Sequence, residues 1–379
     1  MSPRVTVLLA VHNGEPYVHQ AVQSVLAQTF ADFELLVVDD ASTDGTVATI
    51  ESFGDERIRV VRNERNLGQV PSLNRGLREA RGELIARIDH DDWSRPERLA
   101  RQVAVLDAEP EVGLVGTWME LVDAEGRRVG TLESTIADFA EFLFHTLIMR
   151  VYVAHPAAMY RREPVLALGG YDEATGPAED KDLWRKLALE RWDARIVPEL
   201  LTVYRLHDAQ LSQTKAAYQQ EVDGASQERF HAAHSPEVAV RPLRLLLAND
   251  PRFWREADAP LADLDTLLGG AAERLRLSAA EQERLQHFVA ARLLRVGRER
   301  PWSRKAHALL AYGLERLPAD RRPAARNANR ASFVLAPVKL SAARAGRRLA
   351  DVALPDALRG PAKRSRLARR LYGKLVGGG

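Results

Sequence analysis

The first part of the chain alternates between short apolar runs and amphipathic stretches. Runs rich in Val, Leu and Ile predict buried strands at 5–11, 33–38, 58–61 and 84–88. Apolar residues at helical spacing predict a helix over 16–29, a short helix ending at residue 50 and another helix that carries Leu73 and Leu77. Strands and helices in alternation are typical of a parallel sheet covered by helices on both faces.

The alternation becomes less regular after residue 102. Strands are predicted at 113–119, 157–160 and 196–204, and a helix at 181–189. Beyond residue 214 the chain is rich in Ala, Leu, Arg and Glu at helical spacing. We therefore divide the chain into an α/β domain at 1–214, a mainly helical region at 215–356 and a basic tail at 357–379.

Length and composition narrow the class of protein. The 379 residues suffice for two domains, and 46% hydrophobic with 28% charged residues is ordinary for a globular protein. A net charge of +2 does not indicate a nucleic-acid-binding protein. The absence of cysteine excludes disulfides, thiolate zinc sites and cysteine nucleophiles. No run of about twenty apolar residues occurs, so we expect no transmembrane helix, and the first apolar run reads as a strand.

Polar residues follow the ends of the predicted strands. They are Asn13, Asp39, Asp40, Asp89 and Asp91. Ligands collect at the carboxyl ends of strands in open α/β sheets, so these side chains are expected to meet at one site. The spacing of the last two lets their carboxylates share one hard divalent cation. The alternative is a solvated acidic turn, in which Asp92 caps the helix that begins near Pro96.

Two further acidic stretches have alternative interpretations. Asp39 could accept a hydrogen bond from a nucleobase N–H, or the stretch could be a turn capped by Ser42 and Asp44. Glu179 and Asp180 precede a helix, where Asp180 could act as a general base or simply as a cap. His155 and His207, each taken alone, are more typical of structural or solvated histidines than of metal ligands.

Three blocks in order carry a resemblance to a known family. The blocks are VTVLLAVHNGEPYVHQAVQSVLAQTFADFELLVVDDASTDGT, RNLGQVPSLNRGLREARGELIARIDHDDWSRPERL and AMYRREPVLALGGYDEATGPAEDKDLWRKLAL. Together they resemble family 2 glycosyltransferases with the GT-A fold. The likeness extends over about residues 4–210, a span consistent with one α/β domain.

The resemblance implies an inverting glycosyltransferase that uses a nucleotide-sugar donor, with a UDP-sugar expected, and Mn²⁺ or Mg²⁺. It assigns catalysis to Asp180, as the base, and its neighbour Glu179. It assigns the metal to Asp91, Asp89 and His207, with Asp91 the direct ligand. The residues it assigns to the nucleotide sugar are Ala10, Asn13, Glu15, Asp39, Asn74, Asp89 and His90.

The sequence departs from the family pattern at several positions. Ala10 and His12 stand where the family often has Pro and Tyr, and Ala41 stands where it often has Gly. These positions lie in nucleotide-facing turns, so the departures bear on the choice of donor base. The Q-x-x-R-W motif of processive synthases is absent, which favours the addition of one sugar per encounter.

The acceptor expected from the resemblance is a hydroxyl of a saccharide or of a lipid-linked saccharide, as in cell-surface polysaccharide or glycolipid synthesis. Leu367, Leu371 and Leu375 share one helical face with basic neighbours, which predicts a tail that lies on an anionic membrane surface. A solvated, disordered tail explains the same composition. The expected location is cytoplasmic, at the inner face of the membrane.

Other functional classes fit the sequence less well. An NAD-type oxidoreductase would need G-x-G-x-x-G after the first strand, where the chain has VHNGEP. A sugar-nucleotide nucleotidyltransferase usually has a Gly-rich basic loop there. A non-catalytic nucleotide-sugar-binding module would not need the carboxylate of Asp180.

Overall fold

The computed structural model describes residues 2–147, 153–207, 216–234, 261–299 and 304–317, together with the single positions 238, 243, 245 and 246. The chain divides into two compact units. The first comprises residues 1–146 and 150–227, and the second comprises 147–149 and 228–379. Among the described residues, no helix has both the length and the apolar character that crossing a membrane requires.

One mixed sheet organises the first unit. Its strands, within the described ranges, are β1 Val5–Val11, β2 Phe33–Asp39, β3 Ile58–Arg62, β4 Leu84–Arg87, β5 Trp93–Ser94, β6 Val112–Val122, β7 Arg128–Leu132, β8 Met159–Arg161 and β9 Asp193–Arg205. Their order is β3-β2-β1-β4-β8-β6-β9-β5, and β7 pairs with β6. The half that contains β1 to β4 is entirely parallel.

The helices of the first unit cover this sheet. They are α1 Glu15–Leu26, α2 Thr46–Glu51, α3 Gln69–Glu79, α4 Arg98–Ala108, α5 Phe139–Leu147, α6 Arg162–Ala167, α7 Glu179–Leu189 and, up to the unit boundary, α8 Ala216–His234. The apolar face of α1, including Val18, Val22 and Val25, is buried in the same core as Leu9 and Val37 of the sheet. This arrangement confirms the predicted α/β fold class, with one difference.

The difference is that the second half of the sheet mixes both directions. Strand β8 lies between β4 and β6 and is antiparallel to both, whereas β6 and β9 are parallel. The sequence predicted these three strands but not their direction, because apolar runs mark burial and carry no sign of orientation. Two short edge strands, β5 and β7, and helices α5 and α6 were not predicted.

The second unit contains helices α9 Leu261–Arg274, α10 Ala279–Glu299 and α11 Arg304–Arg316, which agree with the predicted helical character. Helices α10 and α11 pack closely, since a Cβ atom at Gly297 or Gly313 would lie about 2.9 Å from a leucine of the other helix. Ala290, Leu294 and Leu310 form part of their common core. The predicted basic tail at 357–379 lies outside the described residues.

Candidate active site

The acidic turn after β4 is the centre of the candidate site. Asp89, Asp91 and Asp92 each place a carboxylate oxygen within 4.8 Å of the others. The turn is held on both sides, because β4 pairs with β1 before it and β5 pairs with β9 after it. Burial and the charges of Asp91 and Asp89 raise the pKa of Asp92 well above its usual range.

Asp92 does not cap the helix that follows, contrary to the alternative interpretation of the turn. Helix α4 begins at Arg98, and the first-turn N–H of Leu99 donates to the side chain of Gln28 at 3.0 Å. One carboxylate oxygen of Asp92, Oδ1, accepts a hydrogen bond from the backbone N–H of Arg205 at 2.9 Å. Its other oxygen, Oδ2, is buried and has no hydrogen-bond partner within the part of the chain that the structure describes.

Two buried arginines frame the turn. The guanidinium of Arg87 donates to Oδ1 of Asp89 and to the backbone carbonyl of Ile88. The guanidinium of Arg205 donates to the backbone carbonyl of Asp91 at 3.2 Å and to the side chain of Gln20 at 2.6 Å. Neither arginine was predicted from the sequence. A charged residue inside the apolar run of β4 was the available signal for the first of them.

His207 and the loop after β1 reach the same turn. Nε2 of His207 lies 2.9 Å from Oδ2 of Asp91, and the imidazole ring contacts the ring of Tyr17 with centroids 5.0 Å apart. A Cβ atom at Gly14 would meet the ring of His90 at 2.7 Å, so this loop approaches the turn closely. The structure thus brings together the predicted metal residues from two distant parts of the chain.

The carboxylate of Asp39 lies at the end of β2 and is fully buried. Its Oδ1 accepts from the backbone N–H of Ser42 at 3.2 Å, and its Oδ2 accepts from Nε of Arg62 at 3.1 Å. The side chain of Arg62 is 57% exposed and covers the carboxylate on the solvent side. Arg62 was not predicted as a site residue, because a single arginine at the end of a strand has no distinctive sequence pattern.

The neighbouring Asp40 stabilises a loop through its hydrogen bonds. Its carboxylate accepts from the backbone N–H groups of Leu67 and Gly68, at 2.9 and 2.8 Å, and from the amide of Asn63 at 2.7 Å. Burial alone would raise the pKa of Asp40, but these hydrogen bonds lower it below its usual value. Asp40 therefore fixes the loop between β3 and α3.

The loop after β1 is built by reciprocal hydrogen bonds with the loop after β2. Oδ1 of Asn13 accepts from the backbone N–H of Thr43 at 2.9 Å, and Oε2 of Glu15 accepts from that of Gly45 at 3.0 Å. Asn13 and Ala41 both have positive φ, of 54° and 58°. Ala10 lies one residue before the end of β1 and pairs with Val38.

Asn74 is engaged with the loop that leads to Glu179. Its side-chain amide donates to the carbonyl of Tyr171 and accepts from the N–H of the same residue, both at 2.8 Å. Gly170 has a φ of 77°, and a Cβ atom there would lie 2.6 Å from the amide oxygen of Asn74. Asn74 thus connects α3 to the loop that precedes α7.

Glu179 begins α7 and is buried beside His155, whose Nδ1 lies 3.6 Å from Oε1. Burial, followed by the charge of Asp180, raises the pKa of Glu179 to about 8, and the charge of Asp89 acts in the same direction. Burial lowers the pKa of His155 to about 3, so its imidazole is neutral. Nε2 of His155 lies 2.8 Å from the hydroxyl of Tyr171, which fits a structural histidine.

Asp180 faces a different set of groups. Burial is the largest cause that raises its pKa, and the charges of Lys181 and Arg185 act in the opposite direction. Both cations pair with Asp223 of α8, at 3.3 and 2.6 Å. The two residues of the Glu-Asp pair therefore differ in surroundings, because Glu179 is turned toward the charges of Arg87 and Asp89.

The chemistry of the acidic turn fits a hard divalent cation. Three carboxylates from one turn provide oxygen ligands within reach of one another, and His207 adds a nitrogen beside Asp91. Among the described residues, the buried Oδ2 of Asp92 has no hydrogen-bond partner and is free to accept one or to bind a cation. Asp89, Asp91 and His207, with Asp92 adjacent, are the residues able to hold the ion.

Known proteins of similar sequence show which family this chain resembles. A family model described as glycosyl transferase family 2 matches residues 6–169. "Putative glycosyltransferase EpsE" of Bacillus subtilis is 31% identical over 234 residues, which cover 59% of this chain and 80% of the relative. The O-antigen biosynthesis glycosyltransferase WbnJ of Escherichia coli is 28% identical over 227 residues, covering 56% of this chain and 84% of the relative.

Among solved structures, Staphylococcus aureus TarS 1–349 in complex with UDP-GlcNAc matches with a TM-score of 0.49 and 19% identity, covering 83% of this chain and 89% of that one. The family assignment depends on the sequence matches and on the site. The family model spans β1 to the loop before α7, the part that positions the acidic turn. The chain belongs to glycosyl transferase family 2 and is a glycosyltransferase.

Proposed function

We propose that the protein transfers one sugar from a nucleotide-sugar donor to a hydroxyl of a saccharide or lipid-linked acceptor, with inversion at the anomeric carbon and with a divalent cation. The observation that carries this proposal is the convergence of Asp89, Asp91 and His207 at the strand ends. A relative named for O-antigen biosynthesis supports a polysaccharide or glycolipid acceptor. Mn²⁺ or Mg²⁺ is the cation expected for this oxygen-rich site.

The first role of the site is to bind the diphosphate of the donor. A bound divalent cation would supply Lewis-acid neutralisation of the charge that develops on the leaving diphosphate. Asp91 would hold the ion together with His207, and Asp89 would contribute to binding the ion and the ribose of the donor. The loops that carry Asn13 and Glu15 are tied to the loop after β2, so they form a rigid wall for the nucleotide.

The nucleobase is proposed to bind at Asp39 and Arg62. The carboxylate accepts hydrogen bonds and the guanidinium donates them, and the two lie 3.1 Å apart. Uracil presents an N–H donor next to a carbonyl acceptor, which matches this pair once the exposed side chain of Arg62 moves aside from the buried carboxylate. Guanine presents a similar combination, so a UDP-sugar is the expected donor and a GDP-sugar is the alternative that the experiment below distinguishes.

Asp180 is proposed as the general base that accepts the proton of the attacking hydroxyl. A base is needed because the pKa of an alcohol lies far above neutral pH. Glu179 has a pKa of about 8 and is mostly protonated at pH 7, which makes Glu179 the poorer candidate for the base. Burial raises the pKa of Asp180, which makes its carboxylate a stronger base than an exposed aspartate.

Thermal unfolding in the presence of UDP-, GDP- and dTDP-sugars tests the donor and the metal together. A ligand that binds only the native protein raises the melting temperature by mass action. We expect a UDP-sugar with Mn²⁺ or Mg²⁺ to raise it, and we expect EDTA to remove both this shift and sugar transfer. Undiminished transfer after EDTA treatment would refute the metal assignment, and no shift with any of the nucleotide sugars would refute the proposed donor class.

Replacement of the base is the second test. Asp180→Asn should leave donor binding nearly unchanged and slow sugar transfer by about 10²–10⁴-fold, the usual contribution of a general base. Glu173→Gln, an exposed carboxylate in the loop before α7, serves as the matched control and should transfer at the wild-type rate. Near-normal turnover by Asp180→Asn would exclude Asp180 from this role. Donor binding without any transfer by the wild type would instead favour a binding module.

A further inference from the structure

Arg87 is a fully buried cation directly beneath the candidate metal site. Its side chain is 0% exposed, whereas that of its partner Asp89 is 25% exposed. The guanidinium donates to Oδ1 of Asp89 and to the backbone carbonyls of Ile88 and Leu8, the latter at 3.4 Å. The carboxylate is therefore held from the protein side while its other face is open to solvent.

The backbone of Arg87 is fixed as firmly as its side chain. Its N–H donates to the carbonyl of Ala158 at 2.8 Å, and its own carbonyl accepts from the guanidinium of Arg98 at the same distance. Strand β4 thus holds Arg87 between β1 and β8. A guanidinium anchored in this way has little freedom to follow a moving carboxylate, so it determines where the carboxylate lies.

We propose that Arg87 is a positioning residue for the metal-and-donor site, which fixes the orientation of Asp89 and compensates its charge. This inference builds on the proposed function, since it concerns the same site. Arg87 does not contact the donor. It keeps the acidic turn assembled before metal and nucleotide arrive, so that binding requires no rearrangement of Asp89.

The test measures the affinity of the full-length protein for UDP at a series of Mn²⁺ concentrations by calorimetry. Arg87→Met should weaken Mn²⁺-dependent UDP binding by about 10–100-fold, the usual effect of removing a group that orients a metal ligand. Arg87→Lys should recover part of the lost UDP affinity, because the positive charge is kept. The recovery should be incomplete, because the planar guanidinium that donates to both Asp89 and the carbonyls is lost. Unchanged Mn²⁺ dependence in a folded Arg87→Met protein would overturn the inference.

Arg161→Met is the matched control. Arg161 is partly buried, its guanidinium donates to the backbone carbonyls of Val112 and Leu106 at 2.9 and 2.6 Å, and it lies 3.8 Å from the carboxylate of Glu83. Its loss should lower the melting temperature and leave the Mn²⁺ dependence of UDP binding unchanged. An equal loss of Mn²⁺ dependence in Arg161→Met would reduce the effect of Arg87 to general destabilisation.

A double-mutant cycle separates orientation of Asp89 from an independent role. If Arg87 acts through Asp89, then Arg87→Met should have little additional effect on UDP affinity in an Asp89→Asn protein. Additive effects would overturn the proposed connection. Absence of UDP binding by the wild type would refute the proposed function instead, so the two failures differ.

A stability measurement covers the case in which the Arg87 variants do not fold. Asp89→Asn leaves a buried guanidinium without its counter-ion, whereas Asp91→Asn does not affect that pair. In metal-free buffer, Asp89→Asn should therefore lower the melting temperature more than Asp91→Asn does. An equal or smaller decrease would contradict the inference.

Discussion

At the scale of single residues, Ala41 adopts a backbone conformation that L-residues rarely favour. Its φ is 58°, in the loop that follows β2 and carries Ser42. For a non-glycine residue this conformation is unfavourable by roughly 1–2 kcal/mol, because the Cβ atom approaches the following carbonyl oxygen. This strain gives a physical reason why related sequences often have glycine at this position. It also shows that the loop is held in place by its hydrogen bonds with the loop after β1.

Ala41→Gly should therefore increase the free energy of unfolding by up to about 1 kcal/mol, since the relief of strain exceeds the entropic cost of glycine. Ala48→Gly is the control, because Ala48 is exposed in the interior of α2 and its replacement should cost about 1 kcal/mol. Denaturant titration of both variants measures the difference. A decrease in stability for Ala41→Gly would show that the conformation is not strained.

The buried carboxyl of Glu179 makes stability depend on pH. Its pKa is about 8 in the folded protein and 4.5 in the reference state, so the folded form binds the extra proton between these values. The stabilisation from Glu179 is thus fully present below pH 4.5 and is lost as the pH rises toward 8. The maximum slope is about 1.4 kcal/mol per pH unit.

Glu179→Gln should remove this contribution, so the difference in stability between variant and wild type should grow in favour of the variant from pH 5 to pH 8. Unfolding by denaturant at several pH values measures this difference. Glu173→Gln, which changes an exposed carboxylate, should show the same pH dependence as the wild type. A constant difference between Glu179→Gln and wild type would mean that Glu179 is ionised throughout this range.

At the scale of elements, the predicted strands of the parallel half agree with the structure to within one residue. Strand β2 was predicted at 33–38 and is Phe33–Asp39, and β4 was predicted at 84–88 and is Leu84–Arg87. These strands are buried on both faces, which gives continuous apolar runs. Strand β5 has two residues, too few to show any period, and was missed. Helix α7 was predicted from Lys181 because its first turn is acidic, yet it begins at Glu179.

Helix α8 contributes a counter-ion to α7 within the first unit. Asp223 pairs with Arg185, which is 1% exposed, and with Lys181. Ser226, one turn further along α8, donates to Asp182 at 2.9 Å. The pattern of α8 carried no sign of this contact, since a single aspartate in an Ala- and Glu-rich helix resembles a solvated charge.

Asp223→Asn should lower the free energy of unfolding by about 3–5 kcal/mol, because it leaves the buried guanidinium of Arg185 without its anion. Glu221→Gln, at an exposed position of the same helix, should change stability by less than about 0.5 kcal/mol. Thermal and denaturant unfolding provide the comparison. A loss below about 1 kcal/mol for Asp223→Asn would indicate that this ion pair contributes no more than an exposed one.

At the scale of the whole molecule, the sequence predicted which residues lie near one another better than it predicted the contacts that hold them. The strand-end rule predicted that Asp39 and Asp91 would converge, and both lie at carboxyl ends of neighbouring parts of one sheet. Arg205 could not be predicted, because its partners Asp91 and Gln20 are distant in sequence. For Arg87, whose partner Asp89 is two residues away, the one signal was a charged residue within an apolar strand. The roles of the individual site residues stay predictions for the experiments above.

The basic tail at 357–379, which lies outside the described residues, carries the prediction of membrane binding. The full-length protein should sediment with vesicles that contain anionic lipid, and a chain cut after Gly360 should not. High salt should weaken the binding, because electrostatic attraction to the lipid headgroups is screened. Equal binding by the two chains would refute the role of the tail.

The acidic turn lies between two paired strands, and this has a consequence for the dynamics of the site. The N–H of Ile88 donates to Leu8 at 3.2 Å, and that of Arg95 donates to Leu201 at 2.9 Å, so both flanks of the turn are bonded into the sheet. In hydrogen–deuterium exchange, these two amides should exchange only through rare, large openings, even without metal or nucleotide. The turn then stays in a fixed position during the catalytic cycle. Any closing motion must therefore come from other segments that move toward it.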